Sequence, residues 1–255
     1  MLLKKALTIA AVSAIASVGY ASSASAVGLS YNAGSIRDAG VTNQGAFSNS
    51  VNDKKYTTLD FNDGKVPQHE SVNYTFSDNN PSFQAYSGKT GIYADHWAPS
   101  GVNGEKNTSN YLAVFSNASV SIQQKDNKSF NYFGLDLGAL SGGNTLQFFN
   151  GAKSVATFTY DMLNKMAPVA ASQHGGQHNG FFEFFSEMTD GSDNFNKIVL
   201  SQDGGGGFES DNHTFRIGTG KYVKGATSVP EPGLILGLSA VGGMLIRKRK
   251  QHSEA

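Results

Sequence analysis

The chain contains no cysteine and no surplus of charge of either sign, with 20 Lys and Arg against 20 Asp and Glu in 255 residues. The absence of thiols excludes disulfide bonds, cysteine-ligated metal sites and thiolate catalysis. A balanced charge argues against a nucleic-acid partner, because such a partner selects a basic face. A chain of this length can still bury one hydrophobic core without disulfide or metal cross-links.

The N-terminus has the three-part order of a secretory signal peptide. Two lysines precede an uncharged, mostly apolar run over residues 6–18, and Ala24 and Ala26 stand at the two positions that a signal peptidase reads. This order predicts cleavage after Ala26, which makes Val27 the first residue of the exported chain. The alternative is a retained membrane anchor, but the apolar run is short for a span and ends in Ser and Ala.

The C-terminus carries a second targeting segment. Its uncharged run, residues 233–246, would form a helix of about 21 Å against a hydrocarbon core of about 30 Å. Four glycines weaken that helix further. Two prolines in the preceding motif forbid helix there and keep the backbone extended, as a protease requires. The motif is Val229, Pro230, Glu231 and Pro232. The basic cluster after the run is Arg247, Lys248, Arg249 and Lys250.

This arrangement resembles the PEP-CTERM sorting signal of bacteria that make exosortases. The resemblance implies that a membrane protease-transpeptidase acts at or near Pro-Glu-Pro and removes the tail, and that the protein joins the cell envelope or exopolysaccharide. The basic cluster would stay on the cytoplasmic side. Because the tail is removed, the chain would be anchored only transiently in the inner membrane. The alternative is an ordinary single-span anchor, which the short, glycine-rich run suits less well.

The segment between the two signals has the composition of an all-β domain. Residues 27–228 hold 14 Lys and Arg and 18 Asp and Glu, a net charge of −4. Turn-forming Gly and Asn separate short aromatic and β-branched runs, which predicts about ten strands in one β-sandwich of jelly-roll type over residues 56–217. We expect residues 27–55 to be a loose polar lead-in with one edge strand and residues 218–228 to be a linker. Residues 229–255 would form the sorting signal with its short apolar helix.

Several local patterns refine this expectation. Asn117 predicts a hairpin between strands at 110–115 and 119–123, and Asn150-Gly151 predicts another between 145–149 and 154–160. Residues 88–109 are rich in Gly and Pro and predict a long loop, while residues 161–169 suit a helical turn. The run 131–137 alternates, which places Phe133, Leu135 and Leu137 on one face and Tyr132, Gly134 and Asp136 on the other. Further strands are expected at 56–61, 71–76, 181–185, 197–201 and 208–217.

Segments 110–114, 131–135, 143–151 and 208–213 resemble the ectodomain of a family of cyanobacterial exosortase-dependent surface proteins. The resemblance covers roughly residues 56–217. It implies shared structural motifs and brings no activity with it. The chain departs from the family in its longer polar lead-in and in a His/Gly insertion near residue 174.

Four carboxylates are candidate calcium ligands. Asp60 and Asp63 lie at the start of the expected domain, and Glu209 and Asp211 lie near its end. Jelly rolls that bind carbohydrate often bring their first and last strands together around a calcium ion, which takes six to eight oxygen ligands. The alternative is two turns with ordinary Asp and Asn side chains.

Other candidate sites are weaker. His174 and His178 have the i, i+4 spacing of zinc proteases, but two glycines between them argue for a polar loop, and the general-base glutamate is absent. Glu183 and Glu187 do not select a glycosidase pair, because Glu183 lies inside an aromatic strand. Three aromatic residues in or near the long loop could stack on sugar rings, although we expect them to close one end of the sandwich: Tyr86, Tyr93 and Trp97.

The sequence therefore predicts a non-enzymatic protein of the cell surface or extracellular matrix, with no catalytic residue and no cofactor other than calcium. Its partners would be signal peptidase and an exosortase during export, and extracellular polysaccharide afterwards. The first alternative is a calcium-dependent carbohydrate-binding module. The second is a secreted glycoside hydrolase, which needs two carboxylates facing one cleft.

Overall fold

The computed structural model describes residues 27–78 and 88–224. The expected signal peptide and sorting signal therefore lie outside the described residues. Within them the chain forms thirteen strands and one short helix. The strands are β1 (Val27–Asn32), β2 (Thr57–Leu59), β3 (Val72–Phe76), β4 (Gly91–Tyr93), β5 (Tyr111–Phe115), β6 (Ala118–Gln124), β7 (Phe130–Gly138), β8 (Asn144–Asn150), β9 (Lys153–Thr159), β10 (Val169–Ala170), β11 (His178–Ser186), β12 (Lys197–Gln202) and β13 (Gly207–Ile217), and the helix is α1 (Tyr160–Leu163).

The strands form two antiparallel sheets, which confirms the mostly-β prediction. The larger sheet has the order β1-β11-β7-β13-β5-β4, with β2 also pairing with β13 and β10 with β11. The smaller sheet has the order β3-β6-β12-β8-β9. The first strand after the lead-in, β2, thus pairs with the last strand, β13.

Aromatic and aliphatic side chains from both sheets form the core. Phe148 of the smaller sheet packs on Phe184 of the larger one, with 4.9 Å between ring centroids, and both are fully buried. The predicted alternation in β7 is confirmed, because Phe133, Leu135 and Leu137 all belong to this core. Period-2 alternation therefore correctly identified the face of this strand that points into the core between the sheets.

One predicted hairpin is confirmed and the other is wrong. Strands β8 and β9 pair directly, with Asn150 opposite Lys153. The turn at Asn117, whose φ is +61°, instead carries the chain from β5 in the larger sheet to β6 in the smaller sheet. The burial of the two strands differs accordingly, since four of five residues in β5 are buried whereas β6 alternates. A tight turn fixes the reversal of the chain but does not fix which strand each arm pairs with.

Two segments are more structured than their composition indicates. The loop expected at 88–109 contains β4, which pairs with β5. The lead-in supplies the edge strand β1, and the rest of it packs against the larger sheet with Ala46, Phe47 and Ser48 almost fully buried. Few apolar residues are needed there, because backbone and polar side chains make the contacts. No helix among residues 27–78 and 88–224 has the length and apolarity needed to cross a bilayer.

Candidate functional site

The outer face of the larger sheet is covered by protein rather than by solvent. Residues 33–56 and 94–110 pass over it, so that all nine residues of β7 and ten of the eleven residues of β13 are buried. Polar side chains that alternation directs away from the core are therefore buried as well. Each of them requires a partner inside the protein, because a buried polar group without one is costly.

A cavity of about 310 Å³ opens on this face, beside β4, β5 and the start of β13. Aromatic side chains form much of its wall, and Asp95 and Glu209 bring two carboxyl groups to it. Gly205, Gly206 and Gly207 form part of the rim. The lining also includes Tyr93, Trp97, Phe115, Ser141 and Gln177.

Glu209 is the most unusual group in this cavity. Its side chain is 5 % exposed, and its Oε2 atom has no hydrogen-bond partner among the described residues. Burial, with a smaller contribution from the charge of Asp95, raises the pKa of Glu209 to about 8. Gly207 leaves the space that the carboxyl group occupies, because a Cβ there would lie 2.0 Å from Oε1. Glu209 is thus a buried carboxyl group with a raised pKa, and its Oε2 lacks a partner among the described residues.

Asp95 is held firmly at the same cavity. Its Oδ1 accepts hydrogen bonds from the Tyr111 hydroxyl at 2.8 Å and from the Trp97 backbone N–H at 2.9 Å. The second bond fixes the start of the turn that places the indole of Trp97 on the cavity. The indole also stacks on the buried His174 ring, with 5.8 Å between centroids and 17° between planes. The aromatic wall is therefore positioned in advance of any ligand.

A second polar cluster on this face holds the lead-in segment. Asp136 and Asp211 lie opposite each other on β7 and β13, and both are fully buried. Asp136 Oδ2 accepts the Ala46 N–H at 2.7 Å, while Asn212 donates through Nδ2 to the carbonyl oxygens of Gln44 and Ala46 at 2.8 and 2.9 Å. Burial raises the pKa of Asp211 to about 8 and the pKa of Asp136 well above its ordinary value. These contacts fix residues 44–46 across the sheet.

A β-bulge in β13 makes this cluster possible. The register shifts between Asp211 and Thr214, and Asn212 has a φ of +52°. Before the bulge Phe208 contributes to the core, and after it Phe215 does, so the inward positions change from even to odd numbers. Two consecutive side chains, Asp211 and Asn212, can then face the covering segment.

Glu183 is buried in a third network. Its carboxylate accepts hydrogen bonds from Tyr132 at 2.8 Å and from Ser30 and Asn32 at 3.1 Å each. This network joins the edge strand β1 to β11 and β7. Glu187 is exposed, so the two glutamates do not form a pair over one cleft.

The structure distributes the four predicted calcium ligands among different contacts. Asp60 accepts a hydrogen bond from Arg37 at 2.6 Å, and Asp63 accepts the Lys65 N–H in a turn. Glu209 lines the cavity and Asp211 holds the polar cluster described above. In residues 27–78 and 88–224, no group of three or more His, Asp or Glu side chains is arranged to hold a metal ion.

The predicted histidine and aromatic sites also take definite positions. His174 ends a 3₁₀ turn and is buried, whereas His178 begins β11 and is exposed, so the two do not share a helix face. Tyr93 is buried against Tyr111, while Trp97 is only partly buried at the cavity. The aromatics thus cover the outer face of the larger sheet rather than the end of the sandwich. Tyr86 lies outside the described residues.

The signal-peptide and sorting residues, Ala24, Ala26 and Val229 onwards, lie outside the described residues, whereas Val27 is the first residue of β1. Sequence reasoning did not identify Asp95 or Asn212 as site residues. Alternation alone could have directed attention to Asp136, which it placed away from the core. No protein-family model matches the chain, and no curated protein shows significant similarity to it.

Proposed function

We propose that the chain is an exported, non-enzymatic protein of the cell surface or extracellular matrix that is sorted by an exosortase. The observation that carries this proposal is the order of parts in the tail: Pro230-Glu231-Pro232, a short uncharged run and a basic cluster. Signal peptidase and the exosortase act on the chain during export, and the chain is inserted only transiently in the inner membrane. The processed protein remains on the envelope or in the exopolysaccharide.

The fold is compatible with cleavage of the expected signal peptide. Val27 is 2 % exposed and lies opposite Ser186, so cleavage after Ala26 would leave β1 complete. We infer a jelly-roll type of sandwich for the β-rich body, because strands β5 to β8 pass alternately between the two sheets. Export of a domain without cysteine then requires no oxidative folding step.

Mass spectrometry of the native protein tests the sorting proposal. We expect an N-terminus at Val27 and a C-terminus at or near Pro230-Glu231-Pro232. The double substitution of Pro230 and Pro232 by Ala should leave the tail attached and reduce the amount of protein at the surface, whereas Ser228→Ala should change neither. An intact native chain that extends to Ala255 would contradict the proposal.

A carbohydrate-binding module is the second candidate, and the aromatic cavity favours it. Trp97 and Phe115 offer apolar ring faces beside the carboxyl groups of Asp95 and Glu209, a combination that suits a sugar ring. Binding by this cavity would not require calcium, since Asp60 and Asp63 are engaged elsewhere. Titration of the purified chain with polysaccharides, with and without a chelator, distinguishes calcium-dependent from calcium-independent binding.

The same experiment addresses a glycoside hydrolase, since Asp95 and Glu209 share one cavity. Hydrolysis requires one carboxyl group to act as an acid and the other as a base or nucleophile. Incubation of the bound polysaccharide should release no new reducing ends if the protein only binds. Release of reducing ends that Glu209→Gln abolishes would replace the non-enzymatic proposal.

A further inference from the structure

The charge of the aromatic cavity restricts the kind of ligand that it can take. Among the described residues that line it there is no Lys, Arg or His, whereas Asp95 and Glu209 both contribute carboxyl groups. Tyr93 and Tyr111 are ionisable groups beside them that cannot neutralise an anion. The imidazoles of His96 and His174 lie behind the wall against the Trp97 ring, at 4.5 and 5.8 Å between centroids, and burial lowers the pKa of His174. The cavity therefore suits a cationic or a neutral ligand and disfavours phosphate, sulfate and uronic acids.

Glu209 is the group that most needs a ligand. Its Oε2 is buried and has no hydrogen-bond partner among the described residues; Asp136 Oδ1 and Asn212 Oδ1 on the same sheet face also lack one, but neither residue lines the cavity. Burial holds its pKa near 8, because no cation offsets the loss of solvent. An ammonium group placed against Oε2 would supply both the missing hydrogen bond and the missing charge.

The walls and the size of the cavity indicate that the ligand also contains a ring. Trp97, Tyr93 and Phe115 present aromatic surface, which attracts both the apolar face of a sugar ring and an adjacent cation. At about 310 Å³ the cavity is at the lower limit of small-molecule sites. It can enclose one or two sugar units rather than a long segment of chain. Gln177 at its edge can bond to a ring hydroxyl, whereas the Ser141 hydroxyl already donates to the Gly207 carbonyl oxygen and accepts from Gln202.

We propose that this cavity binds an amine-bearing saccharide unit, with the ammonium group against Glu209 and Asp95 and the ring face against Trp97. This inference rests on the proposed carbohydrate binding and gives it a ligand class. A partly deacetylated amino-sugar polymer in the extracellular matrix would present such units. The cavity would hold the processed protein to that polymer without any metal ion.

The test compares two saccharides that differ at the amine, which is an ammonium group in one and a neutral, larger acetamide in the other. The sample is the native protein as its own cells process it. It is titrated at pH 6 by calorimetry with glucosamine oligosaccharides and with their N-acetylated counterparts. We expect the amine form to bind more tightly by about tenfold, the difference that one charge-assisted hydrogen bond makes. Its binding should also release a proton from Glu209, seen as a dependence of the heat on the buffer.

Variants connect this preference to the cavity. Glu209→Gln keeps the size of the side chain and should remove both the tenfold preference and the proton release, whereas the exposed control Glu70→Gln should keep both. Trp97→Ala should weaken both saccharides alike. Thermal unfolding of each variant shows whether the fold is retained, and proton release in the unaltered protein tests the inference without any variant.

Three results would overturn the inference: equal or tighter binding of the N-acetylated form, an unchanged preference in Glu209→Gln, or binding of neither saccharide. Tight binding of methylamine with no gain from the ring would also contradict it. These outcomes are independent of the sorting proposal, because they do not depend on where the native chain ends. Binding of neutral polysaccharide alone would support carbohydrate binding but would contradict the assignment of an amino sugar as the ligand.

Discussion

The outer faces of the two sheets differ in what covers them. On the smaller sheet, one row of outward positions is Thr75, Ser121, Val199, Gln147 and Thr157, which lie opposite one another on successive strands and are at least partly exposed. Water satisfies their hydroxyl and amide groups. On the larger sheet, the corresponding positions are buried under two covering segments.

This difference determines how replaceable the residues are. A polar side chain on the solvated face has water as an alternative partner, so its identity is only weakly constrained. A polar side chain on the covered face has one set of partners, as Asp136 has in the Ala46 N–H, and its loss leaves those partners unsatisfied. Asp136 Oδ1, Asn212 Oδ1 and Glu209 Oε2 all lack a partner among the described residues, but of the three residues only Glu209 lines the cavity. A group of this kind is a candidate for ligand binding.

The core between the sheets provides the largest expected effect. Phe148→Ala removes a fully buried ring that contacts Phe184 and Phe195, and should reduce the free energy of unfolding by about 3–5 kcal/mol. The next residue, Phe149, faces outward under the Lys197 ammonium group. Phe149→Ala should cost only about 1 kcal/mol. Urea unfolding of both variants measures the contrast, and equal losses would refute the assignment of the two faces.

The sequence predicted which residues face the core but did not predict which strands pair. Alternation is a local property, so Phe133, Leu135 and Leu137 were assigned to the core correctly. The pairing of strands is not local, and the turn at Asn117 looks the same whether β5 and β6 pair or separate into two sheets. The covering role of residues 33–56 also escaped prediction, because backbone N–H groups such as that of Ala46 make the contacts.

The site was predictable only in part, for a related reason. Glu209 and Asp211 were chosen as carboxylates near the end of the domain, but their partners come from distant segments. Asp95 reaches Glu209 through the loop after β4, and Asp136 reaches Asp211 across a strand pair. The bulge at Asn212 has no pattern in the sequence that distinguishes it from a regular strand. Oxygen ligands can be counted from sequence, whereas their convergence on one point cannot.

The covered face should make stability depend on pH. In the unfolded chain Glu209 and Asp211 lose their protons near their ordinary pKa values of 4.5 and 3.8, whereas in the fold both pKa values are about 8. The folded state binds more protons between these limits, so this stabilisation is complete below about pH 4 and is lost as the pH rises to about 8. Buried His213, with its pKa lowered to about 3, acts in the opposite direction below its ordinary pKa of 6.5.

Above pH 6.5 the opposing contribution of the buried histidines fades, and the free energy of unfolding should fall by up to about 1.4 kcal/mol per pH unit for each buried carboxyl group as the pH rises to 8. Urea unfolding at intervals of half a pH unit measures the slope. Glu209→Gln should remove the contribution of one group, whereas the exposed control Glu70→Gln should leave the slope unchanged. A stability that stays constant or rises over this window would contradict the assignment of neutral, buried acids.

The bulge that fixes the lead-in segment gives the next effect. Asn212→Gly keeps the left-handed backbone but removes two hydrogen bonds to the segment, and should cost about 2 kcal/mol. Asn212→Ala adds the strain of a positive φ, about 1 kcal/mol more. Asn73→Ala on the solvated face is the control and should change little. Hydrogen exchange should show the Ala46 amide losing protection in both Asn212 variants, and unchanged protection would mean that the segment is held by other contacts.

The smallest effect comes from one identical substitution on the two faces. Thr→Val removes a hydroxyl group while keeping the branched shape, so it isolates the contribution of the hydrogen bonds. Thr214 is fully buried, with its Oγ1 3.0 Å from Oγ1 of Thr58 and donating to the Asn212 carbonyl oxygen at 3.2 Å. Thr214→Val should cost about 1–2 kcal/mol because Thr58 loses its partner, whereas Thr157→Val on the solvated edge strand should stay within about 0.5 kcal/mol. Equal changes in the midpoint of urea unfolding would show that solvent reaches the covered face, and would remove the reason for treating the unpartnered Oε2 of Glu209 as a mark of ligand binding.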